Sequence, residues 1–177
     1  MLFFCLALAV SLAFAIPQLA FMVRRRKLLQ RDWKDVVASI EPVNLGGIKA
    51  IAEMYLSPTK DQLRIEPPVM WELLGGIAGV RKLSKNADAI LELCVLAEQW
   101  DHNGKLISEL IRADIVDLKR ALARIELATL HGYADARGHF ALMQIASAYN
   151  LMRLRLLGQY EKSHVARLQT LHGRLGA

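Results

Sequence analysis

Cysteine is scarce in this chain. Cys5 and Cys94 are the two present in 177 residues, too few for a disulfide scaffold or a cysteine-rich zinc site. Five prolines and eleven glycines exclude collagen-like and low-complexity chains. Apolar residues are not in short supply: 54% are hydrophobic against 23% charged, which excludes general disorder. Strand-like alternation stands out nowhere, and the long apolar periodicities are helical. Charge is missing from one place, because no side chain between Met1 and Val23 is charged.

That stretch reads LFFCLALAVSLAFAIPQLAFMV, with Ser11 and Gln18 as its polar residues. As a helix its roughly 22 residues extend about 33 Å, enough to cross a hydrocarbon core of about 30 Å. Pro17 kinks such a helix without breaking it, since membrane helices tolerate proline. Arg24, Arg25, Arg26 and Lys27 follow at once. Basic residues stay on the cytoplasmic side of a span, and no cation precedes this one. The expected topology is single-pass, with the N-terminus out and the C-terminal domain cytoplasmic. The rival reading is a cleaved signal peptide over residues 1–15, because Ala13-Phe14-Ala15 fits a cleavage site. The missing positive n-region and the apolar run on to Val23 favour the anchor. Cys5 is then a small apolar side chain of the span, and Cys94 a free thiol in a reducing compartment.

The net charge of +6 is unevenly spread: residues 24–85 carry +5, residues 86–135 carry −4 and residues 136–177 carry +5. An acidic middle between two basic parts points to pairing within the chain and away from a nucleic-acid stripe. The cluster Arg24–Lys27 sets topology, and it is also placed to attract anionic headgroups at about 1 kcal/mol per cation.

Residues 24–40 read as a basic juxtamembrane amphipathic helix continuing the span, with Leu29, Trp33, Val36, Val37 and Ile40 on one face. Trp33 has two candidate places, the headgroup layer favoured by indole rings or the soluble domain. Glu41-Pro42 ends the helix, since the residue before proline avoids the α region. Residues 41–85 form an irregular short-helix segment. A helical pattern after Gly46-Gly47 ends near Leu56, and Ser57-Pro58 and Glu66-Pro67-Pro68 bracket a loop. Residues 69–80, VMWELLGGIAGV, are too short to span and read as a buried or interfacial helix. Gly75 and Gly79 make a G-x-x-x-G pair, a pattern that lets two helices approach closely. They do not make a phosphate loop, because Val80 stands where the second glycine belongs. Leu45-Gly46-Gly47-Ile48 recurs as Leu74-Gly75-Gly76-Ile77. A single recurrence is chance or a duplicated helix start, not a solenoid.

Residues 86–177 read as a bundle of about three long helices. Ser84 or Asn86 is the expected cap of a helix through AILELCVLAEQW, and Asp101-His102-Asn103-Gly104 is a turn. The next helix is expected from Lys105 to Leu130, with Ile111, Ile115, Leu118, Leu122 and Ile125 as its apolar stripe. Glu109–Arg112 and Asp117–Arg120 are expected pairs on its surface, and Asp114 lies beside the stripe. The break HGYADARG, residues 131–138, precedes a last helix from His139 to His172. One side of that helix carries Leu142, Ile145, Tyr149, Met152 and Leu156, and another carries Phe140, Met143, Leu151, Leu154 and Leu157. Apolar residues on two sides mark a central helix, and short connections favour antiparallel neighbours.

Candidate chemistry is sparse. Glu161-x-x-His164 has the spacing that puts two metal ligands on one helical face, but a carboxylate-bridged site needs a second such pair, and none exists. Cys94 lies between Leu93 and Val95, where a thiol behaves as a small hydrophobe. No G-x-S-x-G marks a serine nucleophile. Tyr149 and Asn150 read as core packing or pocket lining. Arg153, Arg155, Lys162, Arg167 and Arg174 alternate with apolar positions and do not make a nucleic-acid face.

The sequence is therefore read as all-α: an N-terminal single transmembrane helix at residues 1–23 followed by an antiparallel helical bundle. The expected function is a membrane-tethered cytoplasmic interaction or scaffold module, non-enzymatic and without cofactor. Its expected partners are the lipid bilayer and a protein, either another species or a second copy. One alternative is a membrane-anchored metal- or small-molecule-binding enzyme with a pocket near Tyr149, Glu161 and His164. Another is an anionic-lipid surface sensor built on Arg24, Arg25, Arg26, Lys27, Trp33 and residues 69–80.

Overall fold

Every element of the described chain is helical. The computed structural model describes residues 31–56, 65–98, 104–130, 134–163 and 165–175. In order the helices are α1 (Trp33–Ala38), α2 (Leu45–Leu56), α3 (Pro67–Leu73), α4 (Gly76–Ala97), α5 (Gly104–Leu130), α6 (Ala134–Ser163) and α7 (Val165–Leu175). The helices from Trp33 onward make one compact unit. The expected span at 1–23 and the basic cluster at 24–27 lie outside the described residues. No described helix is long and apolar enough to cross a membrane.

The segment 41–85 folds around one tight corner. Pro67 and Pro68 open α3, where an absent N–H costs nothing. Gly75 and Gly76 turn the chain from α3 into α4 with φ of 77° and 63°, a left-handed conformation that suits glycine. A Cβ on Gly79 would lie 1.7 Å from the Leu74 carbonyl oxygen. The G-x-x-x-G pair therefore serves this corner. The first Gly-Gly pair meets the same place: Asn44 caps α2 by accepting from the Gly47 N–H at 3.1 Å and donates to the Leu73 carbonyl at 3.2 Å. A Cβ on Gly47 would sit 2.9 Å from the Leu73 Cβ. The recurring Leu-Gly-Gly-Ile thus starts two helices that both abut the end of α3.

Helices α4, α5 and α6 run up, down and up. Arg81 pairs with Glu126, Asp88 with Lys119, and Cys94 meets Ser108, so α4 and α5 are antiparallel. Arg155 pairs with Asp114 and Arg124 with Gln144, so α5 and α6 are antiparallel as well. Asn86 meets Tyr149 and Cys94 meets Gln159, so α4 and α6 run parallel. Helix α6 touches α2, α3, α4, α5 and α7, which makes it the centre of the bundle.

The stripes place the core. Ile111, Ile115, Leu118 and Ile125 of α5 are buried, with Leu122 half-buried at the edge. On α6, Leu142, Ile145, Tyr149, Met152 and Leu156 are all buried. Its second stripe is only partly enclosed: Leu157 is buried, whereas Phe140 and Leu154 stand in solvent. Phe140 still meets Tyr55 of α2, with ring centroids 5.8 Å apart, and Met143 packs against the edge of the core. Helices α1, α2 and α3 join the same core through Val36, Val37, Ile48, Ile51 and Met70.

Three boundaries differ from the sequence reading. Of the helix expected over 24–40, the described part is helical from Trp33 to Ala38, and Arg31 and Asp32 lie outside it. Helix α4 begins at Gly76, so Asn86 sits in its interior and caps nothing. Helix α6 begins at Ala134, within the expected break, because Gly138 faces open space and tolerates a helical position.

Two predictions follow from the packing. Leu118 is fully buried and Leu106 is 66% exposed, so Leu118→Ala should cost about 2–5 kcal/mol and Leu106→Ala under about 0.5 kcal/mol in chemical unfolding. Gly79→Ala should cost at least about 3 kcal/mol, because the carbonyl it strikes belongs to the backbone. Gly158 has nothing within 4 Å of an added Cβ, so Gly158→Ala should stabilise by about 0.5–1 kcal/mol. Equal midpoints for the two glycine variants would refute the corner.

Candidate functional site

The chemistry of this bundle is concentrated along α6. From Ile145 to Asn150 every residue is buried, so polar side chains there depend on protein partners. Further along the helix come Arg153, Gln159 and Tyr160, also buried. These groups form a polar seam through an otherwise apolar core.

The upper end of the seam ties four helices. Tyr160 of α6 donates its hydroxyl proton to the Leu93 carbonyl of α4 at 3.0 Å and accepts from the Trp33 indole N–H of α1 at 3.0 Å. The Trp33 and Tyr160 rings are 6.4 Å apart, and the Arg167 guanidinium of α7 lies 5.4 Å from the Trp33 ring centroid. Cation–π attraction of this kind adds about 0.5–2 kcal/mol. Of the two places open to Trp33, this one is inside the bundle. Burial pushes the Tyr160 hydroxyl up to about 12 from its ordinary 10.0, outweighing the lowering by the Trp33 bond and by Arg167.

Beside Tyr160 the Cys94 thiol donates to the Gln159 amide oxygen at 2.8 Å and accepts from the Ser108 hydroxyl at 3.3 Å. All three side chains are fully buried. An amide oxygen cannot take the thiol proton, so this setting holds Cys94 as a thiol and does not activate it. Gly104 admits the Gln159 amide: a Cβ there would approach Gln159 Nε2 to 2.8 Å.

Lower in the seam, Asn86 joins three segments. Its amide accepts from the Glu41 N–H at 2.9 Å and donates to the Glu41 carbonyl at 2.7 Å. The same nitrogen lies 3.4 Å from the Tyr149 hydroxyl. Burial raises Tyr149 above its ordinary value, more than the Asn86 bond and the Arg153 charge lower it. Arg153 donates from Nε to the Leu175 carbonyl of α7 at 2.7 Å, while its Nη1 is buried without a partner. Burial lowers its pKa, yet a guanidinium does not deprotonate in a protein.

At the bundle surface, Asp114 and Arg155 form a close ion pair between α5 and α6. Burial raises the Asp114 carboxyl above its ordinary value, against the lowering by Arg155. The two expected pairs along α5, Glu109–Arg112 and Asp117–Arg120, are both present.

The structure disperses the residues of the expected pocket. Tyr149 is buried against Asn86, and Glu161 is exposed near the end of α6. Twelve residues of one helix separate them by about 18 Å. His164 lies outside the described residues, as do Arg24, Arg25, Arg26 and Lys27. Among the described residues, no group of three or more His, Cys, Asp or Glu side chains is placed to hold a metal ion. Sequence reasoning passes over Gln159 and Tyr160, reads Asn86 as a cap and reads Arg153 as one of several scattered cations. The available signal was a polar residue set among core-spaced apolar ones, as Asn86 is between Leu83 and Ile90. No protein-family model, curated protein or solved structure matches the chain.

The shift at Tyr160 sets an alkaline limit. An unfolded tyrosine ionises near 10.0 and Tyr160 at about 12. The native state holds this proton more tightly, so the stabilisation is whole below pH 10 and is lost as pH rises through about 12. Urea unfolding in steps across that window should show stability falling with pH. Tyr160→Phe should be less stable by about 1–3 kcal/mol below pH 10, with Leu93 and Trp33 left unpaired, and should fall less steeply above it. Parallel slopes for the two proteins would refute the assignment.

Proposed function

We propose that this chain is a membrane-tethered helical interaction module. The observation that carries the reading is the charge-free run from Met1 to Val23 followed at once by Arg24, Arg25, Arg26 and Lys27. A helix of that length satisfies its own backbone in lipid, and the basic cluster holds the following domain on the cytoplasmic side. Trp33 is engaged by Tyr160 and Arg167, so contact with headgroups falls to the four cations.

The bundle supports a binding role over a catalytic one. Its buried polar groups join helix to helix, as Asn86, Tyr160 and Gln159 each do. Its surface retains large apolar side chains on α5: Leu106 is 66% exposed, and Leu110, one turn on, is 43% exposed. The partner in this reading is a protein, either another species or a second copy, met at the inner face of the membrane.

The test is crosslinking in intact membranes with a C-terminal affinity tag, followed by mass spectrometry and by alkaline carbonate extraction of the same membranes. The chain should stay with the membranes and should capture one partner, or itself, near stoichiometry. Leu106→Glu combined with Leu110→Glu should reduce that capture at least about tenfold, the equivalent of 1.4 kcal/mol in binding. Release by carbonate would overturn the tether. Recovery of uncrosslinked monomer alone would overturn the interaction role.

A further inference from the structure

Arg153 is the one feature of the seam that its helix-joining role leaves unexplained. Its side chain is 95% buried, since 5% of the residue remains exposed. It makes one hydrogen bond, from Nε to the Leu175 carbonyl at 2.7 Å. Its Nη1 is buried with no acceptor, and no carboxylate pairs with it among the described residues. A buried guanidinium keeps its charge, and a buried charge calls for a counter-charge. Tyr149, one turn back on α6, does not supply one, because burial raises its hydroxyl further from ionisation.

Two more orphaned groups lie along the same helix. Asn150 is one turn from Arg153, and Ser147 one turn from Asn150, which places successive members of the set side by side. Asn150 is 8% exposed and Ser147 3%, and the Asn150 Oδ1 and Ser147 Oγ are buried without partners. A half-turn of the Asn150 amide presents its NH2, and rotation of the Ser147 hydroxyl presents its proton. The three groups can then all donate. Native proteins rarely leave such groups unanswered.

We propose that Arg153 anchors a buried receptor for a small carboxylate, with Asn150 and Ser147 as neighbouring donors. One fixed positive charge matches a monoanion, whereas a dianion such as sulfate would leave net negative charge in the core. The planar carboxylate also suits the guanidinium edge left open when Nε is taken by Leu175. Because Arg153 holds the end of α7, occupancy couples the anion to the docking of that helix. The carboxylate is a small one free in solution.

The full chain, in neutral detergent at pH 7, is unfolded thermally with sodium acetate as the probe and sodium chloride at matched ionic strength as the control. Acetate should raise the midpoint saturably by several degrees, chloride should not, and Arg153→Met should respond alike to both salts. If Arg153→Met does not fold, the Arg153 Nε–H resonance of the wild-type chain, assigned through Arg153→Lys, gives the answer, since acetate should move it at the concentrations that raise the midpoint. Equal effects of acetate and chloride on the wild-type chain, or an Nε–H signal that does not move, would overturn the proposal.

Discussion

A helix buried through its middle has no water there to satisfy its polar side chains, and that constraint governs this bundle. Helix α6 meets all six of the other described helices, α1 through the bond between Trp33 and Tyr160, and six consecutive residues in its middle are buried. Any hydrogen-bonding group placed on it must find a partner on a neighbouring helix or leave a donor or acceptor unanswered in the core. Tyr160 is answered by Leu93 and Trp33, Gln159 by Cys94, and Tyr149 by Asn86. Each answer fixes one neighbour in rotation and in height along α6. Apolar contact alone, being non-directional, would hold those helices close without choosing among their registers.

The glycine corner does related work by a different route. Its two Gly-Gly pairs let backbone meet backbone where α2 begins, α3 ends and α4 begins, and Asn44 stitches the first of these to the second. A short segment with little helical periodicity of its own is thereby delivered to the core at a fixed angle. Ile48 and Ile51 of α2 and Met70 of α3 then complete the packing around α4 and α6.

Legibility in the sequence followed the length and purity of each pattern. Helix α5 is readable to within one residue, Lys105–Leu130 against Gly104–Leu130, because its apolar stripe is unbroken. Helix α4 was read too short at its start. Ser84 and Asn86 have the chemistry of caps, and the glycines ahead of them have the chemistry of breakers, and only the tertiary corner shows what both do. The second stripe of α6 was over-read for a related reason: periodicity reports which residues share a side, not whether a neighbour covers it. The pairings of the seam were not readable at all. Asn86 and Tyr149 are 63 positions apart, and no local spacing encodes such a meeting. The charge-free run at residues 1–23, by contrast, is a matter of local composition alone, which is why it stands out in the sequence.

The link between Trp33 and Tyr160 joins residues 127 positions apart. Helix α1 is made well before the groups that receive its indole, the Tyr160 hydroxyl and the Arg167 guanidinium. At ribosomal rates of about 5–20 residues per second, that is a wait of roughly 6–25 s. Through that interval Val36, Val37 and the indole remain without the C-terminal part of their final setting, exposed to whatever apolar surface is nearest. The first described helix thus reaches its full set of contacts only after α6 and α7 have been made.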